Sequence, residues 1–213
     1  MCAGCRAEID GARAVVLSAD GLDAGFAALP YARAGRRLVA ALKFSRLLVA
    51  AELGAALIAA RAPWPLPATI VPVPAAPLRL AARGFDPAEV LAAALAGCTG
   101  GATAQLLRRR DLRRQRGRAR SERLARPPAI AVVGAAPAEV LLVDDVVTTG
   151  ATLSACATAL RRAGCEAVAA AALAAVPPPR ASLARARHGG VAWTPPGPWV
   201  SERRDRADRD RRT

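Results

Sequence analysis

Apolar residues recur along this chain with two different periods, and their alternation predicts helices interleaved with strands. From Arg37 to Ala60, Leu38, Leu42, Val49, Leu53 and Leu57 return at four- and seven-residue spacings, one face of a helix that Pro63, Pro65 and Pro67 end. Thr69-Ile70-Val71 reads as a short buried strand running into Pro72-Val73-Pro74. Asp86-Pro87-Ala88-Glu89 has the marks of a helix start: a capping side chain, proline at the first position and glutamate three after the cap. Val90, Leu91, Ala94 and Leu95 supply the apolar face of that helix until Gly97.

Ala129 to Val133 reads as another strand, bounded by Pro127-Pro128 and Gly134. Glu139 to Val143 is apolar without polar alternation, as expected of a strand covered on both faces. The next helix sets Leu153, Cys156, Ala157 and Leu160 at i, i+3, i+4 and i+7 and stops at Gly164. Ala167 to Val176 resembles one more buried strand. Residues 1–35 look loosely specified beside these. The alternation predicts an α/β fold: a mostly parallel sheet flanked by helices, with right-handed crossovers.

Composition narrows the picture. At 213 residues and 53% apolar, the chain can bury a real core as one domain with modest additions at its ends. Aromatics at 3% argue against a stacking platform for single-stranded nucleic acid. The net charge is +14, and the 19 residues from Arg108 to Arg126 hold ten arginines against Asp111 and Glu122. More than half of the excess charge is therefore local. Such a block suits a polyanionic nucleic acid or a small polyphosphate equally well. There is no secretory leader pattern and no apolar run long enough to span a bilayer, and a reduced cytoplasmic compartment fits the five cysteines.

Most informative is Val140 to Thr152, where an apolar run ends in Asp144-Asp145 and a small-residue turn, Thr148-Thr149-Gly150-Ala151-Thr152, opens a helix. Ionised carboxylates accept well from hydroxyls, so the pair can hold a sugar diol and can sit near hydrated magnesium. Gly150 permits a close approach, and free N–H groups at a helix start face an anion. Capping accounts for Thr148 or Thr149 but not for two aspartates ending an apolar strand. The segment is no Walker A loop, because no lysine follows the glycine, and it lacks the three glycines of a dinucleotide fingerprint.

These 13 residues resemble the diphosphoribosyl-binding motif of type I phosphoribosyltransferases. More of the chain resembles one branch, the ComF/GntX-like family, through Tyr31, Arg37, Leu42-Lys43-Phe44, Val71-Pro72-Val73-Pro74, Arg83-Gly84-Phe85-Asp86, Gln115, Arg123 and Leu141 to Thr152, in the family's order. The resemblance implies a type I phosphoribosyltransferase-like fold that binds 5-phosphoribosyl 1-diphosphate with magnesium. It gives Asp144 and Asp145 the ribose hydroxyls and the catalytic role, and Thr148, Thr149, Gly150, Ala151 and Thr152 the 5′-phosphate. Pro72 and Val73 would approach the pyrophosphate, with Lys43 and Arg83 as further contacts. Asp86 stands where relatives often carry asparagine. Thr148 stands where several base-using relatives carry an acid, which weakens a purine-salvage assignment.

The resemblance also implies that residues 1–30 are a truncated remnant of an N-terminal cysteine module ahead of a phosphoribosyltransferase-like domain over 31–198. Composition predicts a disordered charged tail over 199–213, since Ser201 to Thr213 is charged and small polar residues apart from Ala207. Relatives begin with two cysteine pairs. Here only Cys2-Ala3-Gly4-Cys5 is present and no nearby histidine completes a ligand set, which argues against bound zinc and for a true start upstream.

Two function classes stay open. One is an enzyme transferring the phosphoribosyl group to a nitrogen nucleophile, with the arginine block as a flap over pyrophosphate. The other is a DNA-uptake or regulatory module that binds nucleic acid through that block, as a homodimer or with a competence-machinery partner. Lys43 and Arg83 also fit solvated surface positions. His188, the only histidine, lies outside the expected core, and no nucleophile elbow supports a hydrolase.

Overall fold

The structure, a computed structural model, describes residues 2–44, 48–110 and 128–177. Gln115, Gly117, Arg123, most of the arginine block, His188 and the charged tail lie outside the described residues. Two compact units divide the chain, Met1–Ala62 with Leu66–Pro177, and Pro63–Pro65 with Pro178–Thr213. Every element below belongs to the first.

In chain order the elements are α1 (Ala3–Gly11), β1 (Val15–Val16), β2 (Ala24–Pro30), α2 (Arg33–Phe44), α3 (Leu48–Arg61) and β3 (Thr69–Pro72). There follow α4 (Pro77–Arg83), α5 (Pro87–Thr99), β4 (Ala102–Thr103), β5 (Leu107–Arg110) and β6 (Ala129–Val132). The last are β7 (Glu139–Val147), α6 (Ala151–Arg162) and β8 (Ala167–Ala175). Six strands form one sheet in the order β1-β2-β8-β7-β3-β4, parallel throughout except for the short antiparallel edge β1–β2. The α/β architecture read from the alternation is therefore present.

β8 is buried along its whole length although it is mostly alanine, a helix former. Its central position, hydrogen-bonded to β2 on one side and β7 on the other, overrides that preference. Small side chains there let helices approach closely. At Gly54 in α3, an added Cβ would lie 3.0 Å from Leu91 and 3.4 Å from Leu173. Along β7, Val140 and Leu142 join Leu153, Cys156, Ala157 and Leu160 of α6 in one cluster. Helices α2, α3 and α5 touch the sheet as well, bringing buried Leu42, Ile58, Leu91 and Leu95.

Several expectations need correction. Residues 15–30 are not loose: β2 is an inner strand, and Arg61 at the end of α3 donates to the carbonyls of Ile9, Ala12 and Ala28, tying the N-terminal segment down. The helix expected to start at Arg37 starts at Arg33, and its apolar pattern is divided between α2 and α3. Strand β6 pairs antiparallel with β5 in a separate ribbon rather than joining the main sheet. Helix α5 runs past Gly97 to Thr99, ending where Gly100 takes a left-handed φ of 69°.

Strand order creates the crevice. From β3 the chain passes through α4 and α5 to β4 on one side, whereas from β7 it passes through α6 to β8 on the other. Adjacent strands β3 and β7 thus send their following loops apart, the arrangement in which open parallel sheets bind ligands.

Close packing at the start of α2 makes a test of this frame. A Cβ on Gly35 would lie 2.3 Å from the Pro30 carbonyl oxygen, whereas one on Gly4 would meet nothing within 4 Å. Gly35→Ala is expected to cost about 1–3 kcal/mol in urea denaturation, as overpacking does. Gly4→Ala, in an exposed helix, should leave stability unchanged or raise it slightly.

Candidate functional site

The acidic pair lies within a strand rather than beyond one. β7 continues to Val147, so Asp144 pairs with Ala172 and the carboxylates occupy its last residues. Consecutive strand residues point to opposite faces, yet the two carboxyls stay close enough to share a hydrogen bond. Asp145 is 7% exposed, and its Oδ2 lies 2.9 Å from Nζ of Lys43, in the last turn of α2. Asp144 is half-buried and its Oδ1 accepts the Asp145 N–H at 2.8 Å. Burial first, and the neighbouring Asp145 charge second, hold the Asp144 carboxyl well above the usual carboxylate range. On the same side, burial and then the Asp144 charge push the Cys156 thiol up to about 12, while Arg109 opposes them. That thiol stays protonated, in keeping with a structural role.

The turn after β7 has the expected local form. Thr148 and Thr149 are exposed, and Gly150 adopts φ 76°, a left-handed conformation that costs glycine little. This places Gly150 at the N-cap of α6, where Thr149 Oγ1 accepts weakly from the Ala151 N–H at 3.4 Å. Thr152 lies in the first helical turn. Gly150 brings no capping side chain, so beyond the weak Thr149 contact the first amides of the helix keep their capacity to bind an anion. The loop before β2 supports the turn: Ser18 O and Ala19 Cβ would each be 3.6 Å from a Cβ on Gly150. That loop is held in turn by Asp23, which takes the Val168 N–H at 2.7 Å and pairs with Arg161 of α6.

Across the crevice, β3 runs into a proline-punctuated loop. Pro72 and Val73 are both buried, and the Val73 N–H donates to Val143 O at 2.9 Å. Asp86 is 5% exposed and does more than cap α5. One carboxylate oxygen accepts the Ala88 N–H at 3.0 Å, while the other accepts the Ala75 N–H at 2.8 Å. Burial raises its pKa above the ordinary value, and the two amides oppose that shift. Arg83, at the end of α4, stands with its guanidinium carbon 5.7 Å from the Phe44 ring centroid, next in sequence to Lys43.

Lys43, Asp145, Asp86 and Arg83 are therefore gathered around one end of the sheet, although the chain separates them by up to 102 positions. Lys43, expected as a pyrophosphate contact, pairs with Asp145. Pro72 has no N–H to offer, and that of Val73 is taken. Missed at the sequence level was the second bond of Asp86, because the capping pattern signals Ala88 but nothing local signals Ala75. Arg109 was also unmarked within its block, although it shares the inward side of β5 with buried Leu107. Cys2 and Cys5 begin α1, and Cys5 Sγ accepts from Arg37 at 3.2 Å. Among the described residues, no group of three His, Cys, Asp or Glu side chains could hold a metal ion, and no helix is long and apolar enough to cross a membrane.

The acids of the pair should respond oppositely to neutralisation. The folded chain holds the Asp144 proton more tightly than the unfolded chain does. Its contribution to stability therefore falls as pH rises from the ordinary carboxylate range towards the folded pKa. At pH 7 without ligand, Asp144→Asn is expected to raise Tm by about 2–4 °C, the effect of roughly 1 kcal/mol in a chain of this size. Asp145→Asn instead strands the Lys43 ammonium and should cost about 3 kcal/mol. Equal effects of one sign in thermal melts would refute this division.

Residues 81–184 match the family model described as a phosphoribosyl transferase domain. A solved structure titled "Structure of the allosteric regulatory enzyme of purine biosynthesis" is similar at 20% identity with a TM-score of 0.41, covering 58% of this chain and 25% of that one. The chain thus spans a quarter of the length of that protein. No curated protein matches. With its parallel sheet, its helical flanks and the family match, the chain carries a phosphoribosyltransferase-like α/β domain.

Proposed function

We propose that this domain binds 5-phosphoribosyl 1-diphosphate and transfers its phosphoribosyl group to a nitrogen nucleophile. The observation that carries the reading is the meeting of opposite chemistries where the strand order reverses. An acidic strand end is followed at once by the uncapped amide end of α6. The Thr148–Thr152 turn holds the 5′-phosphate through amides and hydroxyls, and Asp144 accepts from the ribose diol. Asp145, already paired with Lys43, keeps α2 against the site and adds its remaining acceptor capacity. Assignment to the ComF/GntX-like branch, with a shortened cysteine module, rests on the order of motifs in the sequence.

In the reaction the bond from the anomeric carbon to the pyrophosphate oxygen breaks, a bond to nitrogen forms, and the nitrogen releases a proton. Thr148 supplies no base for that proton, so the reading favours a nucleophile that loses it to solvent or to the departing pyrophosphate. The donor set fits magnesium only as a partly hydrated ion, held by Asp144 and the ligand's own oxygens. When bound, magnesium offsets charge building on the leaving group.

A second reading is favoured by one observation: Arg108 and Arg110 are exposed on β5, at the edge of the arginine block. In it the domain binds nucleic-acid phosphates, with affinity falling steeply as salt rises.

Calorimetric titration with 5-phosphoribosyl 1-diphosphate and magnesium tests the first reading. The intact protein should bind, and Asp144→Asn should lose at least about tenfold in affinity, as loss of a charged hydrogen-bond acceptor implies. Release of pyrophosphate on adding ammonia, amines or bases would identify the nucleophile class. A folded, intact protein that ignores the ligand would overturn the assignment.

A further inference from the structure

Helix α1 begins with two thiols one turn apart. Cys2 stands at its N-cap and is exposed, while Cys5 is its third residue and half-buried. The two side chains lie close enough to share a hydrogen bond. Two sulfurs fall short of the four ligands of a closed zinc site, and among the described residues no group of three His, Cys, Asp or Glu could hold a metal ion. A disulfide needs only two.

Packing against α2 fixes the pair. Cys5, Glu8 and Ile9 share one side of α1, at i, i+3 and i+4. Ile9 is buried, Glu8 accepts the Ala34 N–H at 3.1 Å, and Cys5 Sγ accepts from Arg37 at 3.2 Å. Arg61 holds the far end of α1 through the Ile9 carbonyl. Cys5 is thus backed by a guanidinium, and Cys2 is left open to solvent.

These surroundings favour a sulfur anion, as a helix start and a nearby cation do. The Cys5 amide first and the Cys5 thiol second hold the Cys2 thiol below its ordinary range, and the Gly4 amide and the Arg37 charge act the same way against burial. The other cysteines differ. Burial pushes the thiols of Cys156 and Cys165 up. Cys98 is exposed but has no second cysteine within a helical turn.

We propose that Cys2 and Cys5 form a redox-active dithiol that reacts with low-molecular-weight disulfides, with Cys2 attacking and Cys5, backed by Arg37, closing the internal bond. Cys2, as thiolate, attacks one sulfur of a disulfide RSSR. The S–S bond breaks, and one RSH leaves with the proton that Cys2 gave up. Cys5 then attacks the Cys2 sulfur of the mixed disulfide, and the second RSH leaves with the Cys5 proton. The protein dithiol loses two electrons, which RSSR gains. Nothing in this chemistry depends on the phosphoribosyl reading.

Thiol trapping and peptide mapping of the full chain in metal-free glutathione buffers, from reduced to oxidised, test the assignment. Oxidised buffer should join Cys2 to Cys5 while Cys156 and Cys165 stay reduced. In Cys5→Ser, which lacks the closing thiol, Cys2 should accumulate as the glutathione mixed disulfide. Arg37→Gln should slow closure about threefold or more, with Arg37→Lys restoring it, as loss and return of a cation beside a thiolate imply. With reduced protein at neutral pH, Cys2 should be alkylated about threefold or more faster than Cys98. Absence of a Cys2–Cys5 disulfide in the folded chain, or oxidation spread evenly over all the cysteines, overturns the assignment. A native closure rate in Arg37→Gln overturns the part given to Arg37. Zinc that shields both thiols from alkylation, with no disulfide in oxidised buffer, overturns the redox role in favour of a metal site.

Discussion

Two carboxylates on consecutive residues of a buried strand set the problem that the rest of this fold answers. Burying one such charge unpaired costs several kcal/mol, and a second beside it makes the cost larger. The chain leaves the two acids in contact but treats them differently. Lys43 reaches Asp145 from α2, an element more than 100 residues earlier in the chain. Asp144 accepts the Asp145 amide, lies against the Asp145 carboxyl and is partly exposed, and it holds its proton more tightly than a carboxyl in water. Ionising Asp144 is thus costly in the native fold, at a place where a hydroxylated ligand could relieve that cost, the kind of stability cost found at functional sites.

Around that strand end the architecture is built for reach rather than enclosure. β8, a wholly buried strand made largely of alanine, lets helices pack close to the sheet centre and sets β7 deep within it. Reversal of connection direction between β3 and β7 then opens a crevice without any dedicated loop. On the α6 side the crevice presents amides at an uncapped helix start. On the α4 side Pro72, Pro74 and Pro77 lack an N–H, and the amides of Val73 and Ala75 are already bonded.

Much of this could be read from residues alone. The apolar run ending in Asp144-Asp145, with Gly150 and its threonines after it, announced a strand, a turn and a helix whose buried face is Leu153, Cys156, Ala157 and Leu160, and all of these are present. Capping chemistry at Asp86 and Pro87 located α5 to the residue. These features succeed because their physics is local: a side chain meets an amide two residues away, or a 3.6-residue period meets one face of a core. β2 was passed over because Ala24 to Pro30 is small and weakly patterned, and its strand state comes from the partner strand β8.

Residue order alone thus settled which local conformations were favoured and which acids and hydroxyls would sit side by side. It could not say that Lys43 would pair with Asp145, or that Asp86 would bind Ala75 as well as Ala88. Those outcomes depend on pairs brought together across tens of residues, where the cost of an uncompensated buried charge or amide selects the partner. Long-range electrostatic and hydrogen-bond satisfaction has no signature in a short window of sequence, because it is a property of the assembled core.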